Sequence, residues 1–327
     1  MTGHEDIPSL DRKIYHHKYS YQGMETRLTF LGTGTSQGVP MIGCGCEVCR
    51  SGDPRDKRLR ASAFVQYRGL DILVDAGPDF RQQMLRAGIS HLDAILLTHN
   101  HKDHTGGLDD VRAFNYIERA PIKIYCEKYV EDSLRMEYSY AFAEKRYPGV
   151  PEWQITNIEN RPFSVSENVP EFMLMWKDGK GYEKVRVTPE FWASERAKRK
   201  RRDSTTAGLP DITPGQAEII PIRGRHYMLP VLGYRFGKIA YLTDMNSIPD
   251  EEFDKLHGLE HFIINCVRRG RHLSHFSLEE AIGVSRRVGA PHTWLTHLSH
   301  QLPRHSELCS ELPPEIRPAY DGLVIEA

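Results

Sequence analysis

From Thr26 onward the chain falls into short apolar or alternating runs closed by Gly, Pro, Asn or Asp. Arg27-Leu-Thr-Phe-Leu31 alternates and then enters Gly32-Thr-Gly34, the pattern of a half-buried strand ending in a tight loop. Ala63 to Tyr67 and Asp71 to Asp75 read as a hairpin turning at Arg68-Gly69. Ala94-Ile-Leu-Leu97 is wholly apolar, as expected of a strand covered on both faces. Ile122 to Cys126 predicts another strand, while Pro78 to Ala87 and Val130 to Arg146 predict helices. The second half repeats the texture. Strands are expected at Ala217 to Ile222, Val231 to Phe236, Lys238 to Leu242, Phe262 to Cys266 and Thr293 to Thr296, with helices at Glu251 to Leu256 and Ser277 to Val288. Strands and helices that alternate through both halves predict α/β layering.

Two stretches break this pattern. Residues 1–25 are polar and aperiodic, and read as an N-terminal extension or an edge strand. Met24 lies just ahead of the first strong strand and is an alternative start to Met1. Residues 177–216 are charged and carry the basic run Lys198-Arg-Lys-Arg-Arg202. So long a polar stretch inside a domain reads as an insertion. Its basic run is either a solvated loop or an arm that touches substrate phosphates. The remainder, 26–327, reads as one domain.

Composition narrows the classes. The 327 residues carry 43 Lys+Arg against 44 Asp+Glu, so the molecule as a whole is not a basic nucleic-acid binder. No apolar run approaches the roughly 20 residues of a membrane span, and the N-terminus has no apolar core of a signal peptide. A cytoplasmic location and no membrane partner are therefore expected. Of six cysteines, Cys44, Cys46 and Cys49 crowd together, which reads as metal binding before disulfides. Cys126 and Cys266 sit in apolar strands as small core residues.

The strongest chemical signal is His99-Asn-His101-Lys-Asp103-His104, directly after the apolar run 94–97 and before Gly106-Gly107. Neutral imidazole and carboxylate are the usual ligands of zinc and related divalent ions. Two His at i and i+2 can converge on one ion, and an Asp-His pair past the turn can face a second. The two glycines allow the backbone to pass close by.

This constellation resembles the metallo-β-lactamase superfamily of metal-dependent hydrolases, and later residues match its pattern in order: His226, Asp244 and His297, each near a strand end. The resemblance implies a four-layer αββα sandwich of two mixed sheets flanked by helices. It implies that His99, His101 and His226 hold one divalent ion, that Asp103, His104 and His297 hold another, and that Asp244 bridges them; the metals would be Zn or Mn. Gly32 to Pro40, followed by Gly43-Cys-Gly-Cys-Glu-Val-Cys49, resembles the phosphoribosyl cyclic-phosphate phosphodiesterase branch of phosphonate catabolism. By that resemblance Cys44, Cys46, Cys49 and His300 hold a structural zinc, since a Cys3His set leaves no position for a substrate. His275 is implied as the general acid, with His272 as a competitor.

The implied reaction is hydrolysis of a small cyclic phosphate diester by a hydroxide held between the two ions, with Asp103 and His275 as catalytic residues. Arg112, Asn115, Arg223 and Arg225 lie near the metal motifs in sequence and are candidates to hold a distal phosphate. Three alternatives stand beside this. One is an RNA 3′-processing endonuclease on the same metals, which keeps nucleic acid open as a partner through the run at 198–202. Another is a thioester or lactone hydrolase. The third is a zinc-stabilised scaffold without activity. A homodimer is the expected assembly, by analogy with relatives.

Overall fold

Alternation along the strands decides which faces meet. The computed structural model describes residues 26–169, 172–177, 181–194 and 216–327. The N-terminal extension 1–25, the choice between Met1 and Met24, and the basic run 198–202 lie outside the described residues. In β1 (Thr26–Gly32), Leu28 and Phe30 enter one hydrophobic cluster and Leu31 a different one. In β3 (Leu70–Val74), which follows β2 (Ser62–Tyr67), Ile72 and Val74 join Leu28, whereas Leu73 joins Leu31. Period-two alternation thus gives each strand two buried faces.

The first sheet continues through β4 (Ala94–Leu96), β5 (Ile122–Cys126) and β6 (Trp153–Asn157). The second is built from β7 (Phe163–Ser166) and, beyond the hairpin β8 (Phe172–Lys177) and β9 (Gly181–Arg186), from β10 (Gln216–His226), β11 (Leu229–Phe236), β12 (Ile239–Tyr241), β13 (His261–Asn265), β14 (His292–Thr296) and β15 (Ile316–Pro318). The last strand, β16 (Val324–Glu326), returns to the edge of the first sheet. The strand orders are β16-β1-β2-β3-β4-β5-β6 and β15-β14-β13-β12-β11-β10-β7. Both sheets are mixed. In each, antiparallel pairs on one side give way to parallel pairs on the other, from β3 to β6 and from β12 to β15.

Three hydrophobic layers separate four structural ones. Leu28, Phe30, Val65 and Ile72 meet Leu232, Tyr234, Phe236 and Tyr241 between the sheets. Leu73 and Ile95 pack outward on Phe80, Met84, Phe114 and Leu134, which lie on the helices Phe80–Ala87, Arg112–Glu118 and Lys128–Glu137. Phe262 and Ile264 pack on Leu278 and Ala281 of the helix Leu278–Val288, and on Leu308. Each such side chain contributes about 1.5–3 kcal/mol of transfer free energy. This is the αββα sandwich implied by the sequence. Among the described residues no helix is long and apolar enough to cross a membrane.

One expectation changes. The helix expected over 130–146 ends at Glu137; the Tyr138 hydroxyl donates to the Thr105 carbonyl (2.9 Å), a short second helix Ser139–Phe142 follows, and no helix continues beyond it. The segment read as a charged insertion opens in a hairpin, with Lys177 paired to Gly181 at the turn between β8 and β9. Farther on, Trp192 is buried, with its indole edge-on to His91 and its N–H donating to Glu167 (2.7 Å). His91 itself bridges Glu118 (2.7 Å) and Asp93 (3.1 Å). Burial pulls the His91 pKa down, but the two carboxylates outweigh it and lift it to about 10.

Candidate metal centre

The chemistry-bearing residues sit where strands end along one rim of the sandwich. Asp75 follows β3, His99 follows β4 by way of Leu97 and Thr98, His226 closes β10, Asp244 follows β12, and His297 follows β14. Asp103 and His104 lie on the one-turn helix Lys102–Thr105. That turn seats closely: a Cβ on Gly77 would meet the Asp103 carbonyl at 2.0 Å, and one on Gly107 would meet the Gly77 carbonyl at 2.0 Å. Asp75, Asp244 and His297 have φ of 62°, 57° and 55°. Left-handed backbone at a non-glycine residue costs on the order of 1 kcal/mol, so three such residues on one rim mark a site held against its local preference.

The fold brings the residues singled out in the sequence together. The ring of His99 lies 4.6 Å from that of His101, 4.3 Å from His104 and 5.7 Å from His226, and the His101 and His226 rings are 4.9 Å apart. The ligand atoms of Asp103, His104, Asp244 and His297 all fall within 4.8 Å of one another, and those of His226, Asp244 and His275 make a second such set. Asp244 belongs to both. His104 Nε2 is 3.2 Å from one Asp244 oxygen and His297 Nε2 is 3.1 Å from the other. His275 stands 4.5 Å from the His226 ring and 4.7 Å from that of His297, and so appears in a ligand-type set as well as near the expected proton-donor position. His272 is next to it, ring to ring at 5.0 Å.

Electrostatics separates the acids from the bases. His104 and His297 hold Asp244 well below the usual carboxylate range against the opposing effect of burial, and His104 does the same for Asp103. Burial pushes His99 and His226 down, toward the neutral form that coordinates cations. His275 is pushed down to about 2, by burial first and then by His297. Buried nitrogens of His99 (Nε2), His104 (Nε2), His226 (Nδ1) and His297 (both) have no hydrogen-bond partner among the described residues. Buried polar atoms are rarely left so, and lone pairs gathered around ionised carboxylates suit divalent cations.

One functional residue escaped the sequence reading. Asp75, fully buried, accepts from Thr98 N and Thr98 Oγ1 (both 2.9 Å) and lies 2.7 Å from His104 Nδ1. It accepts from the Nδ1–H of His104, an arrangement that would leave Nε2 free to offer its lone pair to a bound cation. The available signal was an acid closing an apolar strand just before Ala76-Gly77-Pro78.

The distal-phosphate candidates are mostly engaged elsewhere. Asn115 donates to the Ala120 and Glu152 carbonyls and accepts from Glu152 N, which leaves its amide holding backbone. Arg112 pairs with Asp109 (3.0 Å) and lines a separate groove with Phe80 and Met84. Arg223 forks onto Glu127 at 2.7 and 2.5 Å. Arg225 is exposed, and its backbone is tied to Ser247 and Asn246. Asn115, Arg112 and Arg223 are thus committed to partners within the protein, and Arg225 has its side chain at the surface beside His226.

The cysteine loop forms a second cluster. Cys44, Cys46, Cys49 and His300 bring their ligand atoms within 4.8 Å of one another, with Cys44 Sγ 3.3 Å and Cys46 Sγ 3.5 Å from His300 Nδ1. Backbone N–H of Met41 and Cys49 donate to Cys49 Sγ and Cys46 Sγ. The donated bond from Cys49 and the one shared with His300 lower the Cys46 pKa to about 6, favouring thiolate. Leu298 N donates to the Thr33 carbonyl (2.8 Å), which ties this loop to the strand end that carries His297.

Residues 71–298 match the model of the β-lactamase superfamily domain. The chain belongs to the metallo-β-lactamase superfamily. Within this superfamily it is similar to a solved diphosphatase of the PhnP family, at 34% identity and a TM-score of 0.71, over 92% of this chain and 98% of that one. A curated relative from Porphyromonas gingivalis, named octanoyltransferase, is 38% identical over 91% of this chain, which spans about half (51%) of that protein's length. A ribonuclease Z from Halorubrum lacusprofundi is 25% identical over 91% of this chain and 94% of that protein. Within the superfamily, the likeness over most of both chains is to the PhnP family.

Proposed function

We propose that this chain is a metal-dependent phosphodiesterase that hydrolyses a small phosphate diester, such as a five-membered cyclic phosphate on a ribose. One observation carries the reading: a single buried carboxylate, Asp244, is shared by two ligand-type sets. A shared acid suits paired ions about 3.5–4 Å apart. The PhnP-family diphosphatase supports phosphorus as the atom attacked.

His99, His101 and His226 would hold one ion and Asp103, His104 and His297 the other, with Asp244 between. Zinc or manganese bound there would supply charge for phosphate oxygens and lower the pKa of nearby water. Asp103 is the less buried of the two acids, and its carboxylate can accept a hydrogen bond from the attacking water and turn its lone pair toward phosphorus. His275 delivers the proton that the leaving oxygen needs. Burial first, and then the charge of His297, keep it neutral in the free site, so it would have to take up that proton as the anionic diester binds. Cys44, Cys46, Cys49 and His300 would hold a zinc with no open position, which braces the loop beside the site.

Two measurements test these roles. His275→Ala should lower kcat about 10²-fold or more for an alkoxide leaving group, and less than about 10-fold for p-nitrophenolate, with metal content unchanged. Equal losses for both leaving groups, or lost metal, would assign His275 to coordination instead. Cys44→Ser should release about one zinc per chain and leave the other metals bound; loss of the other metals alone would refute the Cys3His assignment.

One observation favours a second reading. The octanoyltransferase relative handles acyl groups by name, and the same ligands would serve a thioester or lactone hydrolase. Turnover of a panel of ribose cyclic phosphates, 2′,3′-cyclic nucleotides, bis(p-nitrophenyl) phosphate and thioesters in matched metals decides between them, and activity confined to thioesters would overturn the phosphodiesterase.

A further inference from the structure

Beside the centre lies an open cleft of about 540 Å³, lined by the ligand-type His101 and His226 and by Tyr227, Met228 and Leu273, which form its apolar rim. That is within the size range of small-ligand sites and larger than a phosphate group requires. The three rim side chains are large, apolar and exposed, at 53%, 74% and 67%. Single exposed apolar residues are ordinary on a protein surface. These three, however, adjoin one polar centre, and two features show that their placement is enforced.

The first is backbone. Tyr227 and Met228 form the two-residue turn between β10 and β11, and Tyr227 has φ of 59°. The first position of such a turn with positive φ usually takes Gly, so a tyrosine there holds its ring in place against local preference. The second is a clamp. Asn246 accepts from Tyr227 N (3.1 Å) and donates to the Leu273 carbonyl (2.8 Å), and its own N–H donates to the Arg225 carbonyl (2.8 Å). One side chain, two positions beyond Asp244, thereby stitches the hairpin tip to the loop that carries Leu273 and His275.

We propose that this rim is the binding subsite for a flat, uncharged aromatic arm of the diester, a nucleobase or an aryl group. The inference rests on the phosphodiesterase reading and names its substrate class. The chemistry of the lining supports it: a phenol ring and a polarisable thioether give stacking and sulfur–aromatic contacts, and among the described residues no charged side chain other than the two histidines lines the cleft.

Three diesters with the same p-nitrophenolate leaving group test it: methyl, phenyl and thymidine 5′ p-nitrophenyl phosphate. Turnover of the phenyl or the thymidine ester should exceed that of the methyl ester by about ten-fold in kcat/KM, mostly through KM, as expected for one stacked ring. Which of the two leads identifies the arm as aryl or nucleobase. In the double variant Tyr227→Gly, Leu273→Ala the ratio should fall about five-fold or more. Glycine suits φ of 59°, so the turn keeps its backbone. A wild-type ratio near one, or a ratio unchanged in the variant, overturns the subsite while leaving the phosphodiesterase standing. Failure to cleave any of the three, with p-nitrophenyl thioacetate turned over, instead overturns the phosphodiesterase itself.

Discussion

Asp244→Asn should lower kcat/KM for a diester by about 10³-fold or more and strip the centre of metal, with the fold retained. The position has three independent reasons to be sensitive. Its carboxylate is the one shared by both ligand sets, it lies within 3.2 Å of His104 and His297, and it is almost completely buried. Asparagine is the informative replacement. It tolerates a φ of 57° better than most residues, and its amide oxygen can keep the bond from Thr243 Oγ1 (2.6 Å), so that charge is the main thing removed. Metal analysis together with thermal melting separates the outcomes: an unchanged melting point with lost metal and lost turnover supports the role, whereas full turnover refutes it.

The second large effect should come from Asp75→Asn, at a residue that would never touch substrate. Metal affinity or turnover should fall about 10- to 100-fold, the usual consequence of removing an orienting carboxylate behind a ligating histidine. Asp75 accepts from Thr98 and faces His104 Nδ1, which requires the hydrogen on that nitrogen to point at the acid. An amide can present N–H₂ to His104 instead. Nδ1 then becomes the acceptor, and the hydrogen moves to Nε2, where it faces the cations. Titration of the apo-protein with zinc or manganese reads the loss directly, and wild-type affinity in the variant would remove Asp75 from the design.

How much of this was legible in the chain follows from distance along it. His99, His101, Asp103 and His104 fall within six positions after an apolar strand, so residue chemistry and local pattern suffice to find them. Asp244 and His297 are isolated residues at strand ends, and only the order of motifs in a resembling family singled them out. Asp75 was missed because a buried acid completing an apolar strand looks like the first residue of a turn. What sequence neighbours of a ligand bind cannot be read from their position alone: Asn115 turns back onto Glu152, and Arg223 finds Glu127. In the fold, the fully buried strands β3, β4 and β13 were plain from composition. The strand β6, Trp-Gln-Ile-Thr-Asn, is half exposed and largely polar, and carries too weak an alternation to be read alone.

The order of the ligands along the chain has a consequence for biogenesis. His99, His226, Asp244 and His297 come from both sheets, so no ribosome-bound fragment that stops short of β14 contains a complete cation cage. The first sheet also waits for its last strand, β16, to cover β1. Such long-range closure slows assembly. Metal loading should therefore wait until β14 has been made, and nascent chains should expose bare imidazoles and thiols up to that point.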